Sequence, residues 1–328
     1  MTDFRTIVDV PVPEQKIDLT NKLFLVGSCF TENVGQKLKD SKFQTQINPF
    51  GILYNPESIA QCLTMILNEY AFTADDLVEQ EGIWNSLYHH SKFSKDDKKI
   101  MLEHLNKNVS ACKGELQNAD FLLITFGTAW VYKYNKTGKV VSNCHKISAK
   151  DFNRYRLSVN QIVDSYTSLI NSIKEINPNV QIVFTVSPVR HMKDGAIENQ
   201  LSKSTLILAI QTLLEKMDNL HYFPAYEIVM DDLRDYRFYN NDMVHPSETA
   251  VEYLWEKFTK SWISDSAYDF MDEIKKIKRA LQHRPFQPKA EAHQRFIKKQ
   301  LQIIERMQKE NPQADFSIEI QAFKKVLE

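Results

Sequence analysis

Residues 23–30 read Leu-Phe-Leu-Val-Gly-Ser-Cys-Phe, and the fold is decided there. Leu23–Val26 is a short apolar run stopped by Gly27, and Thr31–Asp40 continues as a helix. A buried strand therefore passes through one glycine and one serine into a helix. The chain has 8 glycines in 328 residues, well under the usual ~7%, so a glycine at a strand end stands out. Working outward, Phe43–Ile47, Phe121–Phe126 (FLLITF, ended by Gly127), Val180–Val186 and Leu220–Phe223 read as four more strands.

Helical segments separate them. Asn55-Pro56 supplies a cap and a first-turn proline, and another helix runs from Ser94 to about Leu116. Ser158 with Gln161 forms a capping box for a helix that ends before Pro178, and Ile197–Met217 follows. His245-Pro246-Ser247 opens a last body helix with Tyr253, Leu254 and Phe258 on one face. Trp130–Tyr134 and Lys139–Ser142 flank Asn135-Lys136-Thr137-Gly138 as a hairpin. Strands alternating with helices predict an α/β fold with a doubly wound parallel sheet.

Charge divides the chain near residue 270. Residues 271–328 hold 13 Lys+Arg and 8 Asp+Glu, whereas the rest holds 28 and 34. The expected organisation is an extended segment (1–20), an α/β domain (21–266) and a C-terminal helical appendage (267–328). In the appendage Pro285, Pro288 and Pro312 break the helix, and Phe296, Leu301, Ile304 and Met307 follow helical spacing. These helices are expected to pack on the body or to mediate oligomerisation, and their removal should leave a folded body. Interspersed acids and a net charge of −1 argue against a nucleic-acid partner. No stretch approaches 18 apolar residues, and the first thirty have no signal-peptide core, so no membrane is expected. Cys29, Cys62, Cys112 and Cys144 form no C-x-x-C pair, and a cytoplasmic protein with reduced thiols is the expectation.

In an open parallel sheet, ligands bind outside the carboxyl ends of the strands at the switch point. Ser28 sits there, at a helix N-terminus whose N–H groups and dipole suit a developing oxyanion. Taken alone, it reads equally as a helix cap. Asp242-Met243-Val244-His245 precedes the last body helix, and its spacing lets the carboxylate hold one imidazole nitrogen while the other faces the crevice. That is the base and orienter a serine nucleophile requires.

These residues resemble a known family. Gly27-Ser28-Cys29-Phe30 resembles the signature of the bacterial GSCFA family, with Thr31 in place of its final Ala. NPFGILYNP at 48–56, FGTAWVY at 126–132, NCHK at 143–146 and SPVRH at 187–191 resemble it too. So do YFPAYEI at 222–228 and DLRDYRFYNNDMVHP at 232–246. The family is in turn similar to SGNH/GDSL-type hydrolases, which implies a five-stranded sheet of flavodoxin-like order. The resemblance implies Ser28 as nucleophile, His245 as base and Asp242 as its orienter. It implies Gly51 and Gly127 as oxyanion N–H donors. The asparagine that usually follows the second of these glycines is Ala129 here, which leaves Asn143, Asn48 or the N–H of Thr128 to supply the missing donor.

Other polar residues are weighed beside these. Arg190 and His191 follow the fourth strand and suit an anionic or sugar-like substrate, although Arg190 paired to a carboxylate such as Asp194 is an equal reading. His89-His90 and Cys144-His145 lack metal-ligand spacing, so no metal is expected. Phosphate-binding glycine loops are absent from the sequence, and no cofactor is expected. Cys29 is a rival nucleophile that a turn of about 100° should carry away toward the sheet. Two functions follow: a serine esterase or acyltransferase acting on a small-molecule or glycan acyl ester, with O-acetyl carbohydrate as the substrate suggested by fold analogy, or a non-catalytic ligand-binding module.

Overall fold

Strand β1 (Lys22–Gly27) leads through α1 (Cys29–Asp40) to β2 (Gln44–Ile47) and α2 (Pro56–Leu67) in a computed structural model that describes residues 5–283 and 290–327. An antiparallel pair, β3 (Leu77–Gln80) and β4 (Ile83–Ser86), precedes α3 (Lys98–Gln117) and β5 (Phe121–Phe126). Next come β6 (Trp130–Tyr134), β7 (Val140–Val141) and β8 (Phe152–Arg156), a small antiparallel sheet in the order β7-β6-β8. The chain continues through α4 (Val159–Ile176), β9 (Gln181–Val186), α5 (Gly195–Lys216), β10 (Leu220–Phe223) and α6 (Ala225–Met230). It closes with α7 (Glu248–Trp262), α8 (Asp265–Gln282), α9 (Glu291–Glu310) and α10 (Ser317–Leu327).

The main sheet has the order β10-β9-β5-β1-β2, with every neighbouring pair parallel. Counted along the chain this is the flavodoxin-like order, and its switch point lies between β1 and β5. The fold is therefore the doubly wound α/β class, with C-terminal helices added. Central β5 is buried along its whole length, which is why it reads as an unbroken apolar run. One face packs Phe24, Ile124, Phe126 and Phe184 against α2–α5. The other packs Leu25, Leu123 and Phe223 against α1 and α7.

Local chemistry explains where the helices begin. Asn55 Oδ1 accepts the Ser58 N–H at 2.8 Å, and Pro56 is the first helical residue of α2. The capping box at Ser158 forms in both directions, at 3.2 and 2.9 Å. Helix α3 starts later than expected: Asp97 caps it through Ile100 N–H at 2.8 Å, while Ser94 donates to Asn85 Oδ1 at 2.6 Å in the preceding loop. The small sheet gains a third strand, β8, beyond the expected hairpin.

The charge shift near residue 270 falls inside α8. Phe270, Met271, Ile274 and Ile277 of that helix are buried in the same cluster as Phe258 and Trp262 of α7. In α9 the buried residues are Ile297, Ile304 and Met307, and Phe296, expected on that seam, is exposed. Pro285 and Pro288 lie outside the described residues. Helix α10 returns to the body through Lys42, which pairs with Glu319 at 2.8 Å beneath Phe316. Among the described residues no helix is long and apolar enough to cross a membrane.

Phe316 is fully buried and meets Phe270 edge-on, with ring centroids 6.2 Å apart. Phe316→Ala should lower unfolding free energy by about 3–5 kcal/mol in a urea titration. An unchanged midpoint would mean that the terminal helices fold apart from the rest.

Candidate active site

The end of β1 is set by a close approach of two backbones. Gly27 pairs with Thr125 of β5 at φ +144°, and a Cβ there would lie 2.3 Å from the Thr125 carbonyl oxygen. Only glycine fits. Beyond it Ser28 turns the chain: its N–H donates to Thr125 O at 3.3 Å, and its extended backbone caps α1. Ser28 Oγ accepts the Phe30 N–H at 3.4 Å.

The loop 48–55 ties this turn to the rest of the strand-end edge. Asn48, buried and at φ +45°, accepts the Gly27 N–H through Oδ1 at 2.9 Å and donates to Glu32 at 2.8 Å. Leu53 N–H donates to Gly27 O at 2.9 Å. Tyr54 O then accepts two N–H groups, from Gly127 at 2.8 Å and Thr128 at 2.9 Å.

Those bonds bear on the expected oxyanion donors. Gly127 and Thr128 have their N–H groups engaged by Tyr54 O, and Gly51 donates its own to Asn48 O at 2.7 Å. Asn48 has both ends of its amide engaged, and Asn143 accepts from His145 N–H at 3.0 Å without lining the cavity around Ser28. Ala129 is buried, with its N–H donated to Ser202 Oγ at 2.8 Å. The N–H of Cys29 opens α1, where no intrahelical acceptor exists.

Ser28 lies in a cavity of about 340 Å³ together with Cys29, Tyr54, Thr128, Trp130, Ser187 and His245. His245 Nδ1 donates to Asp242 Oδ2 at 2.7 Å, and Asp242 Oδ1 accepts the N–H groups of Val244 and His245 at 2.8 and 2.9 Å. The His245 N–H, the imidazole and the Val244 N–H hold the Asp242 carboxyl down at about 2. The carboxylate therefore stays ionised and fixes the Nδ1-protonated tautomer, which leaves the Nε2 lone pair open as an acceptor. Among the described residues no hydrogen bond joins Ser28 to His245; the two side chains share the cavity.

Cys29 does not turn away as expected. Phe30 takes the sheetward direction, stacking on Phe223 at 6.5 Å, so Cys29 lines the cavity with Sγ 3.9 Å from Tyr54 OH. Burial and then the neighbouring Cys29 push the Tyr54 phenol up to about 12. Arg190 and His191 also line the cavity, and Asp194 pairs with Arg154 at 2.5 and 2.6 Å, not with Arg190. Burial, followed by Arg154, lowers the His191 pKa. His89 stacks on Phe50 at 4.0 Å with Nδ1 2.9 Å from Ser86 Oγ, and His145 Nε2 lies 2.8 Å from Ser86 O. Both are packing histidines. Among the described residues no group of three or more His, Cys, Asp or Glu side chains is placed to hold a metal ion.

A serine closes the first strand and an Asp-x-x-His stands ahead of the last body helix, and the strand order brings Ser28 and His245 to one cavity. Residues 22–258 match the GSCFA family, and residues 274–328 match the C-terminal domain of GSCFA domain proteins. The chain belongs to the GSCFA family. No curated protein matches it. Among solved structures it is similar to a carbohydrate esterase family 2 enzyme from Corynascus thermopiles (11% identity, 82% of this chain and 71% of that one, TM-score 0.38). It is also similar to a family two carbohydrate esterase from Clostridium thermocellum (11%, 74% and 64%, 0.37). A third is a carbohydrate esterase family 3 protein from Talaromyces cellulolyticus (10%, 78% and 99%, 0.35). The fold itself is defined by the strand order, not by these likenesses.

One residue behind the cavity was not foreseen. Lys203 is fully buried, and its Nζ donates to Gly127 O at 2.7 Å and Ser187 O at 2.6 Å, clamping the ends of β5 and β9. Burial pushes its ammonium down to about 7. Lys203→Met leaves two carbonyls unpaired and should cost about 2–4 kcal/mol at neutral pH. An unfolded lysine keeps its proton to about pH 10.4, so above pH 7 the unfolded chain binds more protons than the folded one. Wild-type stability from this residue then rises with pH, by about 1.4 kcal/mol per unit. The variant lacks that slope, so its deficit in urea titrations should widen from pH 7 to 10. Parallel curves would mean that Lys203 stays charged when folded.

Proposed function

We propose that this chain is a serine-dependent esterase or acyltransferase acting on O-acyl substrates, with O-acetylated carbohydrate as its substrate class. The observation that carries the reading is the cavity itself. Ser28 and His245 line one space, and Asp242 holds His245 Nδ1 at 2.7 Å. Ser28 Oγ attacks the acyl carbonyl while His245 Nε2 takes the hydroxyl proton. His245 returns that proton to the leaving alkoxide, and the acyl-enzyme passes to water or to a sugar hydroxyl. Catalytic hydrogen bonds are often long before substrate binds and tighten in the complex, so the Ser28–His245 contact forms with substrate present. With Gly51, Gly127 and Thr128 engaged, the Cys29 N–H and the positive end of α1 are the groups best placed to meet the oxyanion. Tyr54, Trp130 and Tyr132 give the cavity aromatic walls that suit the faces of a sugar ring or an acyl chain. Four free thiols support a reducing, cytoplasmic setting.

A non-catalytic ligand-binding module is the second reading, favoured by the three engaged N–H groups around Tyr54 and Asn48. Steady-state assays with 4-nitrophenyl acetate and O-acetylated sugars separate the two. Ser28→Ala and His245→Ala should each lower kcat/KM by at least about a thousandfold, and Asp242→Asn by about a hundredfold or more through loss of the tautomer. Turnover that survives in Ser28→Ala, or no turnover of any ester by the wild type, favours the binding module.

A further inference from the structure

Among the described residues, Arg190 is the one formally charged side chain lining the cavity around Ser28, and no Asp or Glu lines it. Among the described residues no carboxylate lies within ion-pair distance of Arg190. Among the described residues its one side-chain hydrogen bond runs from a guanidinium nitrogen to Met243 O at 3.4 Å, near the long limit, and its remaining donors have no acceptor there. The nearby acids are engaged elsewhere: Asp194 holds Arg154 in a two-point fork, and Asp242 holds His245.

Of the cations around the cavity, Arg154 stacks on Trp130 at 4.2 Å with its charge balanced by Asp194, whereas Lys193 donates to Tyr132 OH at 2.5 Å and adds positive charge. Arg190 also lines a second cavity of about 310 Å³ with Tyr226, Tyr236, Tyr239 and Asp235, and its guanidinium lies over the Tyr239 ring, 5.6 Å from the centroid, which leaves its in-plane N–H fork unblocked. A planar fork of donors without an acid partner, beside a nucleophile and in a cavity without carboxylates, matches an oxyanion group on a bound molecule.

We infer that the substrate of this cavity is an acyl ester bearing an anionic group, a carboxylate or a phosphate, as on an O-acylated acidic sugar, and that Arg190 binds that group. The inference rests on Ser28 as the nucleophile, but it makes a separate claim about binding. Full-length Ser28→Ala protein can be titrated calorimetrically with 4-acetoxybenzoate, 4-acetoxyphenyl phosphate and the neutral 4-acetoxybenzamide. At least one charged probe should bind about tenfold or more tighter than the amide, and which one does so distinguishes carboxylate from phosphate. Adding Arg190→Gln should bring the ratio to within about twofold of one, and Arg190→Lys should restore part of it. If Arg190 served only to hold the 242–245 loop, its loss would weaken all three probes together and leave the ratio unchanged. An unchanged ratio, equal affinities in Ser28→Ala, or no binding of the charged probes at millimolar concentration would overturn the inference. Charge-selective binding through Arg190 with no Ser28-dependent turnover in the wild type would uphold it and overturn the serine reading instead.

Discussion

The contact on which the site depends is the one between Gly27 and Thr125. A side chain at residue 27 would meet the Thr125 carbonyl at 2.3 Å, so only a glycine lets β1 approach β5 and then turn into α1 at Ser28. The loop 48–55 completes the constraint, since Asn48 binds Gly27 N–H and Leu53 binds Gly27 O. Tyr54 O then reaches across to Gly127 and Thr128. The position of Ser28 is thereby specified by hydrogen bonds from β1, β5 and the loop between β2 and α2. Few of these bonds involve the serine side chain, so its hydroxyl stays available for chemistry.

The same edge divides its positive charges by burial. Lys203 is sealed under the strand ends, where two carbonyls consume its donors and desolvation disfavours its charge. Arg190 stands on the cavity wall with most of its donors unused. A buried amine holds the framework together, while a guanidinium on the cavity wall is left for a ligand. The difference follows from environment: a compact amine fits between two strand ends, whereas a guanidinium keeps its charge and its planar fork at a partly open wall.

Much of this was legible in the sequence because it follows from short-range rules. The central strands β1, β5 and β9 are largely apolar runs ended by turn residues, and Ser158 with Gln161 announces α4 from four residues. The β3–β4 hairpin was missed because its turn is Glu81-Gly82, both at positive φ, and Glu in that conformation sends no sequence signal. Cys29 was misplaced because helical spacing gives angles between neighbours but not which of them packs on the sheet; Phe30 won that place through Phe223. The engagement of Gly127 and Thr128 by Tyr54 O depends on backbone contacts some seventy residues apart, which no local pattern encodes. Lys203 could have been found, since it falls on the buried side of α5 with Asn199, Ser202, Leu206 and Ile210, spaced three and four apart.

The central claim is that the hydroxyl of Ser28, activated by His245, is the nucleophile, although the Cys29 thiol lines the same cavity. Labelling with a fluorophosphonate, followed by peptide mass spectrometry, reads the modified atom directly. An adduct is expected on Ser28 that persists in Cys29→Ala and is lost in both Ser28→Ala and His245→Ala. An adduct on Cys29, or labelling of Ser28 that is indifferent to His245, would contradict it.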